Sequence, residues 1–158
     1  MFASIKVSFK KFIDRCWQLC VTQPRHRLPL SLGLATYIAF CPFVGFHTVL
    51  VLLFSWLLLL NMPLLLLISC GINNPWTMIP IYSANHLVGQ LIFKWCSIDC
   101  YAYNPHWLEY INSKIQALTG LQGISLWAFL VGGNILAIVV AGAVYLISWA
   151  VIKIYSAK

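Results

Sequence analysis

Acidic residues are nearly missing from this chain. Asp14, Asp99 and Glu109 are the only three in 158 residues. That scarcity excludes chemistry needing a pair of carboxylates, and with it a di-acid metal centre. Charge of either sign is absent from Leu28 to Phe93. Charged residues make up 8% of the chain, against about a quarter in an ordinary soluble domain. A chain that is 61% apolar cannot cover its own surface with water-compatible groups, so the composition points to a bilayer and to one domain. An early apolar core with a small-residue cleavage site is also lacking. The first long apolar run starts at Leu28, so no cleaved leader is expected.

The six cysteines, at 16, 20, 41, 70, 96 and 100, lack the arrangement of a secreted disulfide scaffold. Cys16/Cys20 and Cys96/Cys100 have the i,i+4 spacing of helical metal ligands, but no His-rich cluster flanks either pair. Small apolar packing residues are the plainer reading. No metal and no cofactor is expected.

What charge there is lies at the ends. Of the ten cations, six (Lys6, Lys10, Lys11, Arg15, Arg25 and Arg27) precede the first apolar run, and Lys153 and Lys158 close the chain. The positive-inside rule then puts both termini in the cytoplasm. Residues 1–27 form a basic amphipathic segment in which Ile5, Phe9, Phe12, Ile13, Cys16 and Cys20 fall on one helical face, opposite most of the lysines. Such a face suits anionic lipid of the inner leaflet, or packing on the protein's own body. Membrane lipids are the expected partners. Nucleic acid is not, because the neighbouring apolar run already accounts for the charge.

Residues 28–152 read as a single all-α membrane domain, followed by a short tail, 153–158. Its first part, 28–93, is a broken-helix region. "CPFVGFHT" (Cys41–Thr48) interrupts one apolar block, leaving parts of about 11 and about 15 residues where a crossing needs roughly 20. Pro42 and Gly45 are the break residues there. Asn61 and Pro63 mark a second boundary. "INNPWTMIP" (Ile72–Pro80) interrupts the next block through Pro75 and Pro80. The section 94–123 is more polar, with Lys94-Trp95 as an interface anchor. Asn104 and Pro105 are read as cap and first residue of a short interfacial helix that Gly120 ends, with Trp107, Leu108, Ile111, Ile115 and Leu118 on one face. Leu126 to Ile152 is the one complete transmembrane helix, about 27 uncharged residues long. Gly133, Ala137 and Ala141 recur every fourth residue, a ridge that lets another helix approach. The ridge suits internal packing more than dimerisation, with a protein partner or a homo-oligomer as the alternative.

Irregular backbone at bilayer depth survives only when protein buries it or when it lines a wet cavity. Two breaks, each flanked by half-length apolar segments, match the pattern of transporters that bind cargo at re-entrant or discontinuous helices. His47, Thr48, Asn73, Asn74 and Thr77 are the candidate cargo-binding side chains, with His47 able to bind or relay a proton. Proline kinks whose polar groups satisfy one another are the competing reading. No catalytic residues are assigned. A Cys41–His47 nucleophilic pair has no third group to orient it, and Gly132-Gly133 lacks the Lys-Ser/Thr of a phosphate loop.

The stretch from Leu28 to Ile92 resembles the bacterial domain-of-unknown-function family 2062. The residues that carry the resemblance are Pro42, Gly45, His47 and Thr48; Asn61 and Pro63; Asn74, Pro75, Thr77, Pro80 and Tyr82; and Gly89. "LVGGNILAIVVAGAVYLI" resembles that family's closing helix. Leu60 stands where the family pattern leads one to expect a basic residue. The resemblance implies a multi-pass protein of the bacterial inner membrane. Related modules fused to glycosyltransferase-like domains associate it with lipid-linked sugars. Two functions follow as expectations: transport or translocation of a lipid-linked or anionic cargo through the polar breaks, or an accessory subunit of an envelope or glycosyltransferase complex.

Overall fold

The computed structural model describes residues 24, 26–43, 45–101, 104–119 and 123–156, with the single positions 14 and 18. Most of the basic N-terminal segment, Cys16 and Cys20 included, therefore lies outside the described residues. Among those described there are six α-helices and no strand. They are α1 (Leu28–Phe40), α2 (His47–Leu57), α3 (Met62–Ile72), α4 (Pro75–Trp95), α5 (His106–Thr119) and α6 (Leu126–Ser156).

Proline, asparagine and glycine set nearly every boundary in the first four. Pro29 sits in the first turn of α1, where its missing N–H costs nothing. Pro42 ends that helix by holding Cys41 extended, at φ −59° and ψ 135°. Gly45, at φ +86°, makes the turn into α2 that a side chain would strain. Asn61 caps α3 by accepting from the Leu64 N–H at 3.2 Å. Asn74 is held extended before Pro75 and starts α4. At that junction α3 and α4 meet at 78°.

α1 and α2 form a hairpin. Its open end is closed by Arg27, whose Nη1 donates to the Leu59 carbonyl at 2.8 Å. Leu59 holds a positive φ of 52° in the turn to α3. α3 returns along both helices, and Ala35, Ile38, Val51, Leu60 and Leu65 form the core between them.

α6 is the spine for the rest. Gly33 of α1 lies against Ala141 and Tyr145, the Tyr37 hydroxyl donates to Asn134 Oδ1 at 3.1 Å, and Pro42 reaches Gly133. Asn85 of α4 then meets Gly132 and Gly133, and Gly89 meets Ala128. Ascending positions of α1, and then of α4, thus face descending positions of α6. The two helices lie end to end along it, antiparallel to it. At their join, Asn85 Nδ2 donates to the Phe40 carbonyl at 3.0 Å, occupying an acceptor at the end of α1. The Gly133–Ala137–Ala141 ridge is spent here: Ala137 is fully buried, and Gly33 faces Ala141. Replacing Tyr37 with Phe leaves Asn134 Oδ1 without this donor. The expected cost is about 1 kcal/mol in the unfolding free energy of the purified protein.

Asn104 departs from the sequence expectation. Its side chain does not cap α5; Oδ1 accepts from the Leu126 N–H at 3.1 Å and Nδ2 donates to the Ile124 carbonyl at 3.2 Å. It secures the start of α6, helped by Asn112, which bonds both the N–H and the carbonyl of Ile124. Of the expected α5 face, Leu108 is buried, while Trp107 and Ile111 are exposed. Cys100 is buried and Cys96 exposed, so that pair does not share a buried face.

Among the described residues, one helix is long and apolar enough to cross a membrane, Leu126–Ile154, and the bent pair Met62–Ile72 with Pro75–Trp95 makes a second if it is one broken span. Only 6% of the most apolar stretch of α6 is buried inside the protein. Trp56, Trp76, Ile79, Leu91, Trp95, Val139 and Ile147 are among many large apolar side chains left exposed.

Candidate functional site

The two breaks meet. His47, the first residue of α2, stands beside Asn73, the last before the α3–α4 bend, and Asn73 Nδ2 lies 3.0 Å from His47 Nε2. An amide Nδ2 only donates, so Nε2 is the acceptor in this pair and Asn73 presents its N–H. A longer contact of 3.4 Å runs from Asn73 Nδ2 to the Tyr82 hydroxyl. The start of α2, the α3–α4 bend and the face of α4 are thereby joined in one chain: His47, Asn73, Tyr82.

These groups border a cavity of about 160 Å³ lined by Gly45, His47, Ser69, Cys70, Asn73, Met78 and Tyr82. Ser69 is satisfied by its own helix, donating to the Leu66 carbonyl at 3.2 Å. Asn73 Oδ1 is fully buried and has no hydrogen-bond partner. On the other side of Tyr82 lies an apolar groove of about 620 Å³, walled by Ile79, Tyr82, Ser83, His86, Leu87, Ile124 and Phe129. Its polar atoms are occupied: Ser83 Oγ donates to the Ile79 carbonyl at 2.8 Å, and His86 Nε2 accepts from the Ser125 N–H at 3.0 Å. Phe129 meets Tyr82 edge-on, with ring centroids 5.4 Å apart. Tyr82 is the wall common to the polar cavity and the apolar groove.

The other expected site residues are not brought to the cavity. Asn74 Oδ1 accepts from the N–H groups of Trp76 (3.0 Å) and Thr77 (3.2 Å), while its Nδ2 donates to the Gly71 carbonyl at 3.1 Å. Thr77 closes the capping box by accepting from the Asn74 N–H at 3.0 Å, and its hydroxyl donates to the Ile72 carbonyl. Both side chains are consumed in holding the bend. Thr48 is exposed on the first turn of α2 and does not line the cavity. The Cys41 thiol is turned to Tyr37 and the Phe43 backbone, not to His47. Among the described residues, no group of three or more His, Cys, Asp or Glu could hold a metal ion.

Sequence reasoning gave no role to Tyr82, Met78, His86 or Asn85. A signal was there for the first three: Met78, Tyr82 and His86 follow at four-residue spacing, one face of a helix.

Broken apolar helices, packed on one long apolar helix around a small polar cavity, define an all-helical protein of bilayer-compatible surface. The chain belongs to the family DUF2062, described as uncharacterized proteins conserved in bacteria, which it matches over residues 8–158. No curated protein matches it, and no solved structure does.

Proposed function

We propose that this chain is a multi-pass protein of the bacterial inner membrane that takes the polar end of a membrane-borne amphiphile between its two helix breaks, and passes it between leaflets. The observation that carries this reading is the junction at Tyr82. A small cavity edged by His47, Asn73 and Tyr82 shares that wall with a larger, more apolar groove, a shape that suits a molecule with a polar head and a hydrocarbon tail.

The surface supports the setting. Contiguous exposed apolar area of this extent is rare on a water-soluble monomer, and the protein buries little of α6's most apolar stretch. α1 starts, and α6 ends, at the same end of the bundle, where Arg27 and Lys153 lie. Positive charge favours the cytoplasmic side for that end. The α1–α2 hairpin then enters and returns from the cytoplasm, and the bent α3–α4 pair makes the net crossing. The second break is capped by Asn74 and Thr77, and Pro42 of the first packs against Gly133 of α6, which shelters part of the irregular backbone as hydrocarbon surroundings demand. The cavity offers an imidazole, an amide and hydroxyls and no carboxylate, a set able to hydrogen-bond a head group.

Photolabelling tests the reading. Protein reconstituted in phosphatidylcholine vesicles is irradiated with phosphatidylglycerol or diacylglycerol carrying a diazirine in the acyl chain. Saturable labelling of peptides holding Ile79, Leu87 or Phe129 is expected, at least fivefold above labelling around Val139 and Ile147 on α6. Uniform, non-saturable labelling of all apolar faces by both lipids would overturn it.

A further inference from the structure

The walls of the cavity also say which head group fits. We infer that the cavity between the two breaks takes an uncharged, hydroxyl-bearing head group, of the kind a diacylglycerol presents, and disfavours a phosphate. This rests on the reading that an amphiphile occupies the groove, and it narrows the lipid-linked or anionic cargo expected from the sequence.

Three observations carry it. First, the unmet hydrogen-bonding need is for a donor. Asn73 Oδ1 is buried without a partner, while Asn73 Nδ2 is engaged by His47. Burying an acceptor unpaired is costly, and a ligand hydroxyl cures it where a phosphodiester, which has acceptors only, does not. The Tyr82 hydroxyl, accepting from Asn73, keeps its own proton to donate to the same ligand oxygen.

Second, no permanently charged side chain lies on the cavity wall. No Lys, Arg, Asp or Glu occurs from Leu28 to Phe93. Arg27 is held at the open end of the hairpin by the Leu59 carbonyl, away from the tip where the cavity lies. Half-helix N-termini would be the remaining attraction for an anion. At α4 that attraction is spent, since Asn74 and Thr77 occupy the first-turn N–H groups, whereas α2, which starts at His47 without a side-chain cap, keeps the backbone attraction of its first turn but has no cation beside it. An unpaired ion of either sign at such a place is strongly disfavoured.

Third, the sizes match. Taking about 30 Å³ per water-sized group, a cavity of about 160 Å³ holds roughly five such groups. That is room for a glycerol arm, and too little for a sugar phosphate. On the same scale, the groove of about 620 Å³ holds roughly twenty, the length of one acyl chain.

The test uses the unaltered protein and changes the ligand. In phosphatidylcholine vesicles, diazirine-chain diacylglycerol labels the groove, and three lipids compete with it. They are dioleoylglycerol; its 3-O-methyl ether, which lacks only the hydroxyl proton; and dioleoyl phosphatidylmethanol, an anion without a hydroxyl. The ether and the anion are expected to need at least a tenfold higher mole fraction than dioleoylglycerol for equal displacement, because a site built around a hydroxyl rejects the analogue lacking it. Asn73→Leu should erase the preference of dioleoylglycerol over its ether among the molecules that still label. Equal competition by the ether, or better competition by the anion, overturns the inference while leaving a lipid-binding groove intact. Failure of every lipid to label the groove removes both this inference and the function it rests on.

Discussion

Gly89→Ala and Gly132→Ala should each abolish the folded protein, whereas Gly142→Ala, on the same long helix as Gly132, should be tolerated or slightly stabilising. A Cβ at Gly89 would fall 1.8 Å from the Ala128 carbonyl oxygen, and one at Gly132 would fall 2.1 Å from the Asn85 carbonyl oxygen. Both obstacles are backbone, so no rotamer change relieves them; α4 and α6 must move apart. Ordinary overpacking costs about 1–3 kcal/mol, and a backbone collision in the middle of the α4–α6 seam belongs at or above the top of that range. At Gly142 a Cβ meets nothing within 4 Å. There the intrinsic helical preference for Ala over Gly, about 1 kcal/mol, acts alone. Thermal unfolding of the three purified variants, followed by circular dichroism, reads the contrast. Equal melting of all three would show that the seam is not as close as described.

The next largest effect is expected at the α3–α4 bend. Asn74→Ala removes the acceptor for two N–H groups and the donor to the Gly71 carbonyl at one stroke. An N-cap lost to alanine costs about 1–2 kcal/mol, and the freed Gly71 carbonyl adds to it, so a loss of about 2–3 kcal/mol is expected. Thr77→Ala should cost nearly as much, and the double variant less than the sum. The two side chains complete one capping box, and residues in one network are not additive. Thr48→Ala, changing an exposed hydroxyl, should leave stability within about 0.5 kcal/mol of the parent. A double-variant cycle in urea or heat measures all four. Full additivity of Asn74 and Thr77 would contradict the reciprocal cap.

These two results separate roles that look alike in the bare sequence. Asn73, Asn74 and Thr77 all read as polar side chains at a helix break, and only the first faces the cavity. Asn-x-x-Thr before a proline-initiated helix is capping-box spacing, so the structural duty of the second and third was legible from local rules. The breaks themselves were legible for the same reason: Pro42, Gly45, Asn61, Pro63 and Pro75 each impose a backbone constraint that acts within a few residues. The meeting of His47 with Asn73, 26 positions apart, was not, because periodicity and capping carry no information about which distant break a loop will touch.

Asn104 marks the boundary of such reasoning. Asn-Pro ahead of an amphipathic run predicts a local cap, yet the side chain serves Leu126, 22 positions on. Two helices needed an end-group there, and tertiary packing decided between them. The small-residue ridge on α6 was readable from its spacing. Its occupant, α1 followed end to end by α4, depends on Asn85 bonding the last carbonyl of α1, a contact across 45 positions.

That end-to-end arrangement bears on how the molecule comes into being. The ribosome makes α1 and α4 well before it reaches α6, yet α6 is the surface along which both are laid. Until α6 emerges, the nascent chain has no template on which to align its two abutting rods. Their alignment therefore waits for α6 and does not proceed helix by helix as translation reaches each.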